Sequence, residues 1–402
     1  MTASPSLPSQ SPEASSAGSR PPARRAVGRA ILFLGIFLGL IGGAHAYFIK
    51  RLIVDPQWPA PIAGPGTALL VALGLLMCAF PAIQRRVPPR YGALVAWPAY
   101  LWMGTSYYLL CTLGLSDLLM WGLDRSGSDA ERTRVLLLLP ALAGLVCWGM
   151  FNALMTPRVR RREVYLPRWP KALDGYRLIQ LSDIHIGHIL RRGFAARVME
   201  RCNAETADLI AITGDVVDGS VEHLRHHVAP LGQLRAKDGV YFVTGNHDHY
   251  ANAPSWIQHW RALGLHVLAN SHQVLASDRA PFVIGGVYDR TSHQGDDVQA
   301  TFANAPEHLP RLLLAHHPET FQQASQNDVD LQLSGHTHDG QMWPFRYLVH
   351  LQTHFTAGLY QRGAHHLYVS RGTGFWGPPL RVGAPSEITL LTLRSAPPPS
   401  GA

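Results

Sequence analysis

The sequence predicts an α/β domain that is preceded by an all-α bundle of four transmembrane helices. The first half of the 402-residue chain contains four long apolar runs. Beyond Thr156-Pro157, short β-branched and aromatic runs alternate with helical ones, as they do in α/β proteins. Only 15% of the residues are charged, against roughly 25% in soluble domains, and this deficit indicates a membrane-embedded part.

These patterns divide the chain into five parts. Residues 1–26 are rich in Ser, Pro, Ala and Arg and predict a disordered tail, as do residues 396–402. The transmembrane region is predicted at 27–156, a basic linker at 157–173 and the α/β domain at 174–395. Each apolar run is close to the ~20 residues that cross a hydrocarbon core. The four predicted spans are residues 30–48, 62–83, 93–115 and 135–155.

Arginine clusters predict how the spans are oriented. The clusters are Arg24, Arg25 and Arg29 before the first span, Arg85, Arg86 and Arg90 between the second and third, and Arg158, Arg160, Arg161 and Arg162 after the fourth. Basic loops stay on the cytoplasmic side of a membrane. We therefore expect a multi-pass membrane protein with both termini and the α/β domain in the cytoplasm.

The first span has an alternative interpretation. Ala44-His45-Ala46 resembles a signal-peptidase site, and Arg24-Arg25 resembles a twin-arginine signal. The apolar stretch continues into Tyr47-Phe48-Ile49, which favours a retained span. Cleavage would remove this span and leave the later ones oriented as before.

Five strand-like runs in the α/β domain end in residue types that bind metals. The endings are Asp183-Ile184-His185, Gly214-Asp215, Gly245-Asn246-His247-Asp248, His316-His317-Pro318 and Gly335-His336-Thr337-His338. Polar residues at the carboxyl ends of core strands are where an α/β sheet usually carries its chemistry. In extended chain, residues i and i+2 face the same side, so Asp183 and His185 can reach one ion. One such ending is explained by a capped turn, whereas five in one domain predict a metal centre.

The residue types favour a pair of divalent ions. Imidazole, carboxylate and amide ligands suit Mn, Fe or Zn, and the lack of cysteine among them argues against a structural zinc site. Two such ions can hold the attacking and leaving oxygens of a phosphoryl displacement, with a bridging hydroxide as the nucleophile. His247, oriented by Asp248, is placed to protonate the leaving alkoxide.

In their residues and their order, these endings resemble the signature of the calcineurin-like metallophosphoesterases over residues 174–395. The resemblance implies a four-layered αββα sandwich. It also implies one ion held by Asp183, His185 and His338, a second held by Asn246, His316 and His336, with Asp215 as the bridge and His247 as acid or transition-state stabiliser. His316 falls at the family's ligand position after its strand, and His317 is the alternative one residue further on.

The C-terminal part is similar to the membrane-anchored bacterial phosphodiesterase branch, which includes UDP-diacylglucosamine hydrolases. The similar runs are residues 368–374, 376–379 and 387–390. One departure is Asp339-Gly340-Gln341, where that branch usually has Gly-Gly-Gln. Asp339 removes no ligand, and we expect it to affect substrate preference or metal affinity.

The expected function is hydrolysis of a phosphodiester or pyrophosphate bond by a membrane-anchored dinuclear-metal enzyme. The expected partners are the bilayer and a phosphoester substrate, with a lipid-linked one as a candidate. One alternative is a membrane sensor or scaffold with a degenerate phosphoesterase domain, although no ligand is missing. Another is a nucleotide or nucleic-acid phosphodiesterase, suggested by the net charge of +8. Much of that charge flanks the spans, so no nucleic-acid partner is expected.

The predicted orientation can be tested with a reporter that is active only outside the cytoplasm. Fused after Ala402, it should be silent, because the α/β domain is expected in the cytoplasm. Inserted near Ser126, in the loop between the third and fourth predicted spans, it should be active. The reverse pattern would place the α/β domain outside the cytoplasm.

Overall fold

The computed structural model describes residues 23–84, 86, 91–123, 127–276 and 279–395. The predicted C-terminal tail, 396–402, lies outside these ranges, and so do residues 1–22 of the predicted N-terminal tail. Residues 23–26 of that tail begin the first helix.

Four helices make up the N-terminal region. They are α1 (Ala23–Ile49), α2 (Ala60–Gln84), α3 (Gly92–Gly122) and α4 (Ser128–Leu154). Three stretches are long and apolar enough to cross a membrane: Leu32–Val54, Ala60–Ile83 and Ser128–Leu154. The span predicted at 93–115 lies in α3, which is not among them within the described residues. The helical region is therefore confirmed, and a fourth membrane-crossing helix is not.

The composition of α3 explains the difference. Between Trp97 and Tyr108 it carries aromatic, hydroxyl and glycine residues, which lower the hydropathy that the criterion requires. Among the residues whose burial is described, it also has the most buried positions of the four helices, including Ala96, Gly104 and Leu109. Small residues at such positions let neighbouring elements approach closely. The sequence pattern of α3 therefore reflects packing against protein.

The α/β domain begins close behind α4. Its strands are β1 (Arg158–Tyr165), β2 (Tyr176–Leu181), β3 (Leu209–Thr213), β4 (Val240–Val243), β5 (His266–Val267), β6 (Ser271–Ala276), β7 (Pro281–Gly286), β8 (Arg311–Leu314), β9 (Leu331–Ser334), β10 (Gly358–Arg362), β11 (His365–Val369) and β12 (Glu387–Arg394). Its helices are α5 (Arg192–Asn203), α6 (Val221–Val228), α7 (Asn246–Tyr250), α8 (Ala253–Ala262), α9 (Val298–Phe302), α10 (Phe321–Gln326) and α11 (Arg346–Gln352).

The strands form two six-stranded mixed sheets. The first has the order β1-β12-β2-β3-β4-β5, and β2 to β5 run parallel. The second has the order β10-β11-β9-β8-β7-β6, and its four central strands are parallel. Parallel neighbours end at the same edge of a sheet. The chain segments that follow β2, β3 and β4 therefore emerge side by side, as do those after β8 and β9.

The sheets and helices pack in four layers. Leu178 and Tyr241 of the first sheet share an apolar core with Ile284 and Leu312 of the second. Helices α5, α6 and α8 cover the outer face of the first sheet, and α9 and α10 cover the outer face of the second. The sandwich expected from the sequence is confirmed.

The predicted basic linker contains a strand of the first sheet. Residues 158–165 form β1, which pairs with β12 in parallel from Arg158↔Glu387 to Tyr165↔Arg394. Only residues 155–157 separate this strand from α4. The helical region is therefore joined to the sandwich by a short connection, and the exact domain boundaries stay a prediction.

A loop near the C-terminus packs against the helices as well. Leu380 and Val382 are buried in an apolar cluster with residues of α1, α3 and α4. Between them, the backbone N–H of Arg381 donates to the carbonyl of Gly149 at 2.9 Å. Asn152 Nδ2 donates to the carbonyl of Arg381 at 3.3 Å. The helices and the sandwich thus contact each other directly.

Candidate metal centre

The strand endings converge at one edge of the two sheets. Three groups of side chains each bring their ligand atoms within 4.8 Å of one another. The groups are Asp183, His185 and His338; His185, Asp215 and His247; and Asp215, His316 and His336. Two of these groups contain aspartate and histidine residues that the sequence predicts at the two ion sites, and that assignment stays a prediction. Asp215 and His185 belong to more than one group, so the clusters are contiguous.

Short distances within the groups define the geometry. His338 Nε2 lies 3.4 Å from Asp183 Oδ1 and 3.1 Å from His185 Nε2. On the other side, His316 Nε2 lies 3.2 Å from Asp215 Oδ2, and its Nδ1 lies 2.7 Å from the Thr213 carbonyl oxygen. Asp215 lies between the two sides, as the predicted bridge requires.

The backbone at these positions has an unusual conformation. Five of the seven predicted ligands have a positive φ, which non-glycine residues seldom adopt. They are Asp183 (53°), His185 (52°), Asp215 (53°), His336 (71°) and His338 (51°). Such conformations cost of order 1–3 kcal/mol each and cluster at functional sites. The surrounding sheets hold these turns so that the side chains face a common point.

Two glycines of the motifs are required by close approach. A Cβ atom at Gly245 would collide with the carboxylate of Asp215, and one at Gly335 would collide with Ser182 and Asp183. The strand-end glycines therefore let neighbouring loops pack tightly around the carboxylates.

The residues fit divalent cations. Asn246 Oδ1 is buried without a hydrogen-bond partner among the described residues, although buried polar atoms are nearly always paired, and His316 Nε2 is buried beside the Asp215 carboxylate. Asp183 and Asp215 are also buried, and a buried carboxylate needs a compensating charge. Oxygen and imidazole atoms with unused lone pairs around two buried carboxylates are a suitable ligand set for metal ions.

The pKa values of two histidines shift in opposite directions. Burial lowers the pKa of His185, but three neighbouring carboxylates, Asp218 first, raise it to about 9. Burial together with the imidazoles of His316 and His317 lowers the pKa of His336 to about 3. The His185 side of the centre therefore has a negative potential that favours a cation, and His336 is neutral and able to donate a lone pair.

The expectation that Asp248 orients the His247 ring is wrong. Asp248 is buried, and its carboxylate accepts the backbone N–H groups of Gly245 (2.8 Å), Asp215 (2.9 Å) and Val216 (3.1 Å). Both carboxylate oxygens of Asp248 are thus used by backbone groups, whereas the His247 ring pairs with a different carboxylate. Asp248 instead fixes the turn that carries Asp215.

The group that contacts His247 is Asp218, which the sequence did not single out. Its Oδ1 lies 2.7 Å from His247 Nδ1 and 2.9 Å from His185 Nδ1. Burial alone raises the pKa of Asp218, but the two facing imidazoles lower it below its usual range. Asp218 therefore orients a predicted ligand and the predicted acid together. Its only signal in the sequence is its position three residues after Asp215.

The two candidates His316 and His317 lie in different surroundings. His316 faces Asp215, whereas His317 Nε2 pairs with Asp289 Oδ2 at 3.1 Å. The His317 ring also packs against His336, with ring centroids 3.9 Å apart. The geometry favours His316 as the ligand and leaves His317 as a neighbour that holds His336 in place.

Two further charged groups surround His338. Arg381 is buried, and its Nη2 lies 2.9 Å from His338 Nδ1. Asp339 is buried too, but its carboxylate pairs with Arg346 (3.0 Å) and Arg371 (2.9 Å). Asp339 therefore belongs to no ligand group among the described residues. Sequence reasoning missed Arg381, because 43 residues separate it from His338.

Together, the αββα sandwich and the carboxylate–histidine clusters at its strand ends define a metal-dependent phosphoesterase. A family model described as calcineurin-like phosphoesterase matches residues 176–340. This chain belongs to the calcineurin-like metallophosphoesterases.

Several relatives share more than the catalytic domain. The chain is 36% identical over 328 residues to a bovine (Bos taurus) protein named transmembrane protein with metallophosphoesterase domain, covering 74% of each chain. It is 36% identical over 284 residues to the zebrafish (Danio rerio) protein of that name, covering 67% of this chain and 64% of the relative. It is 34% identical over 259 residues to an uncharacterized metallophosphoesterase of Helicobacter pylori, covering 63% of this chain and 68% of the relative. Animal and bacterial proteins are both similar, so the bacterial branch stays a prediction.

We predict that Asp218→Asn slows turnover. An amide presents one oxygen and no charge, so it cannot serve both imidazoles as the carboxylate does. Loss of such a supporting partner typically costs about 10–100-fold in metal affinity or activity. Steady-state rates and metal titration should show this loss, and Asp328→Asn, at an exposed position, should have no effect. Unchanged turnover and metal affinity in the Asp218 variant would contradict the positioning role.

Proposed function

We propose that this protein hydrolyses a phosphodiester or pyrophosphate bond with two divalent ions, which are Mn, Fe or Zn. The observation that carries this proposal is the position of Asp215, whose carboxylate belongs to ligand groups on both sides of the centre. A shared carboxylate is what two adjacent cations need, because its charge offsets their repulsion.

In such a reaction, seven residues would bind the ions and His247 would face the leaving group. When bound, the ions supply Lewis acidity and activate water for an in-line displacement at phosphorus. Asp183, His185 and His338 would hold one ion, and Asn246, His316 and His336 the other, with Asp215 between them. His247 lies at the margin of the centre, where its half-buried ring can reach the substrate. Its Nδ1 is occupied by Asp218, so its Nε2 is the atom that would face the leaving oxygen.

Two recesses adjoin the centre, a small one of about 30 Å³ and a larger groove. One is lined by His185, Asp218, Phe375 and Tyr100 of α3. The other is a groove of about 630 Å³ that begins at His249 and is otherwise lined by Tyr250, Ala253, Pro254, Ile257, Tyr288, Thr291, Ser292, His293 and Gln294. Its volume is in the range of ligand pockets. The groove has room for a large substituent on phosphorus, which a diester or pyrophosphate carries and a small monoester lacks.

We also propose that the protein is a multi-pass component of the bacterial inner membrane with a cytoplasmic catalytic domain. Three helices are long and apolar enough to cross a membrane. The sandwich contacts the beginning of α3, where His188 lies against Gly92, and the end of α4, where Leu154 packs on the first sheet. Those are the ends of the helices that adjoin the arginine clusters, which favours the cytoplasmic side.

A sensor or scaffold with a degenerate centre is the weaker alternative. Degeneration removes ligands, and the six predicted aspartate and histidine ligands all lie within the three groups. The seventh, Asn246, adjoins His247, whose backbone N–H donates to Asp215 Oδ1 at 2.8 Å.

The first test of the proposal is Asp215→Asn. Removing the shared negative charge should lower bound metal below two ions per chain and reduce hydrolysis of an aryl phosphodiester by several orders of magnitude. Elemental analysis of the purified full-length protein and initial rates measure both effects. Asp174→Asn, at an exposed site paired with Arg394, should leave both unchanged. An Asp215→Asn protein with both ions and its full rate would mean that the bridge is misassigned.

The second test separates proton donation from metal binding. His247→Asn should keep most of the metal and slow hydrolysis of a diester with a poor leaving group by about 10²–10⁴-fold, the usual contribution of a general acid. The loss should be much smaller for an activated aryl ester, whose leaving group needs no proton. His226→Asn, on the exposed face of α6, serves as the control. Equal losses on both esters with metal retained would assign His247 to charge stabilisation instead.

A further inference from the structure

One short segment of the catalytic domain exposes an unusual amount of apolar surface. From residue 158 onward, the described residues include nine large apolar side chains that are exposed. Five of them fall in the segment Trp343–Leu351, namely Trp343, Phe345, Tyr347, Leu348 and Leu351, while Tyr250, Val274, Leu359 and Trp376 are scattered elsewhere. Leu351 is 83% exposed. The segment contains no carboxylate and carries Arg346 and His350.

The segment 343–351 is continuous with the helical region. Met342, directly before it, packs against the buried cluster of the helices. The ring of Phe345 makes an edge contact with Tyr107 of α3, with ring centroids 6.0 Å apart. The backbone N–H of Trp343 donates to the carbonyl of Val382 at 2.8 Å, and Val382 is buried among the same helices. The exposed apolar surface therefore extends the surface of the helices.

The contacts also show how far along the helices this surface lies. Gly149, which accepts the backbone N–H of Arg381, is five residues before the end of the apolar stretch Ser128–Leu154. At 1.5 Å per residue this is roughly 7 Å inside that end. The polar headgroup zone of a bilayer is roughly 5–7 Å thick on each side. With the end of α4 at the outer edge of this zone, Gly149 lies near its inner boundary. Aromatic and aliphatic side chains with a few basic neighbours are typical of segments that lie in this zone.

The metal centre adjoins the same surface. Gln341, three residues after His338, donates from Nε2 to the carbonyls of Trp376 (3.0 Å) and Pro378 (2.9 Å). Trp376 is exposed, and its ring centroid lies 5.8 Å from that of His247. The five residues from His338 to Trp343 span at most roughly 17 Å. A phosphoester group bound at the centre is therefore separated from the segment 343–351 by no more than about the thickness of one hydrocarbon leaflet, roughly 15 Å.

We propose that the segment 343–351 lies in the headgroup layer of the bilayer beside α3, and that the metal centre acts on phosphoester groups carried by membrane lipids. The second part rests on the proposed phosphoesterase function and names its substrate class. The groove beside His249 receives the polar headgroup side.

The test compares two diesters with the same leaving group. The full-length, metal-loaded protein is placed in nanodiscs of phosphatidylethanolamine and phosphatidylglycerol. One substrate is the p-nitrophenyl ester of phosphatidic acid in the same nanodiscs, and the other is soluble methyl p-nitrophenyl phosphate. The parent protein should hydrolyse the lipid ester at least about tenfold faster at equal bulk concentration, because the bilayer confines substrate and centre together. The double variant Leu348→Glu/Leu351→Glu should lose this advantage and keep its rate on the soluble ester.

A matched control and a second measurement complete the design. Val274→Glu places a carboxylate at an exposed apolar position on β6, at the far edge of the second sheet, and should change neither rate. In a protein without other cysteines, an NBD fluorophore on Leu351→Cys should be quenched by chain-brominated lipids, and one on Val274→Cys should not.

The outcomes separate this inference from the function on which it rests. If the parent fails on the soluble ester as well, the phosphoesterase proposal itself is overturned, and the lipid assignment falls with it. Hydrolysis of the soluble ester without any lipid advantage overturns the substrate class alone. Equal losses on both esters in the double variant, or no quenching at position 351, overturn the membrane contact of the segment.

Discussion

The structure depends on two buried carboxylates, Asp183 and Asp215, which the ends of neighbouring parallel strands bring to one edge of the two sheets. Their burial is costly unless charges of the opposite sign face them. The parallel strands bring histidines to the same edge, and left-handed turns aim those side chains inward. Asp248 accepts three backbone N–H groups and so fixes the turn after β3. The metal-binding capacity of the centre is thus a consequence of how the sandwich closes around negative charge.

The same constraint connects the centre with the helices. Leu380 and Val382 lie in the apolar cluster of the bundle, while Arg381 between them turns the other way, as alternate residues of an extended segment do. Its guanidinium donates to the carbonyls of Arg371 (2.8 Å) and Ala384 (3.1 Å) and contacts His338. The position of a predicted ligand therefore depends on a loop that packs against α3 and α4. The helices therefore help to position His338, through the loop that carries Arg381.

Much of this arrangement could be predicted from the sequence because the motifs are local. Each predicted ligand comes within a few residues of a strand that is recognisable by its composition, and the parallel sheets then bring the endings together. Asp218 and Arg381 could not be predicted in this way, since their contacts depend on how loops fold back over the strands. The same holds for α3, whose small and polar residues reflect packing against protein. The partner of His247 was predicted wrongly because adjacency in sequence was taken for adjacency in space.

Asp339 departs from the expected motif, and its role follows from the two arginines that it contacts. A glycine here, as in the branch that the sequence resembles, would leave Arg346 and Arg371 without the carboxylate that pairs with both. Arg346 is the first residue of α11, and Arg371 belongs to the loop that also contacts Arg381. Asp339 directly follows His338, so its two ion pairs fix the segment 343–351 relative to that histidine. Asp339 therefore supports the segment 343–351 from a position beside the centre, and it lies outside the three ligand groups.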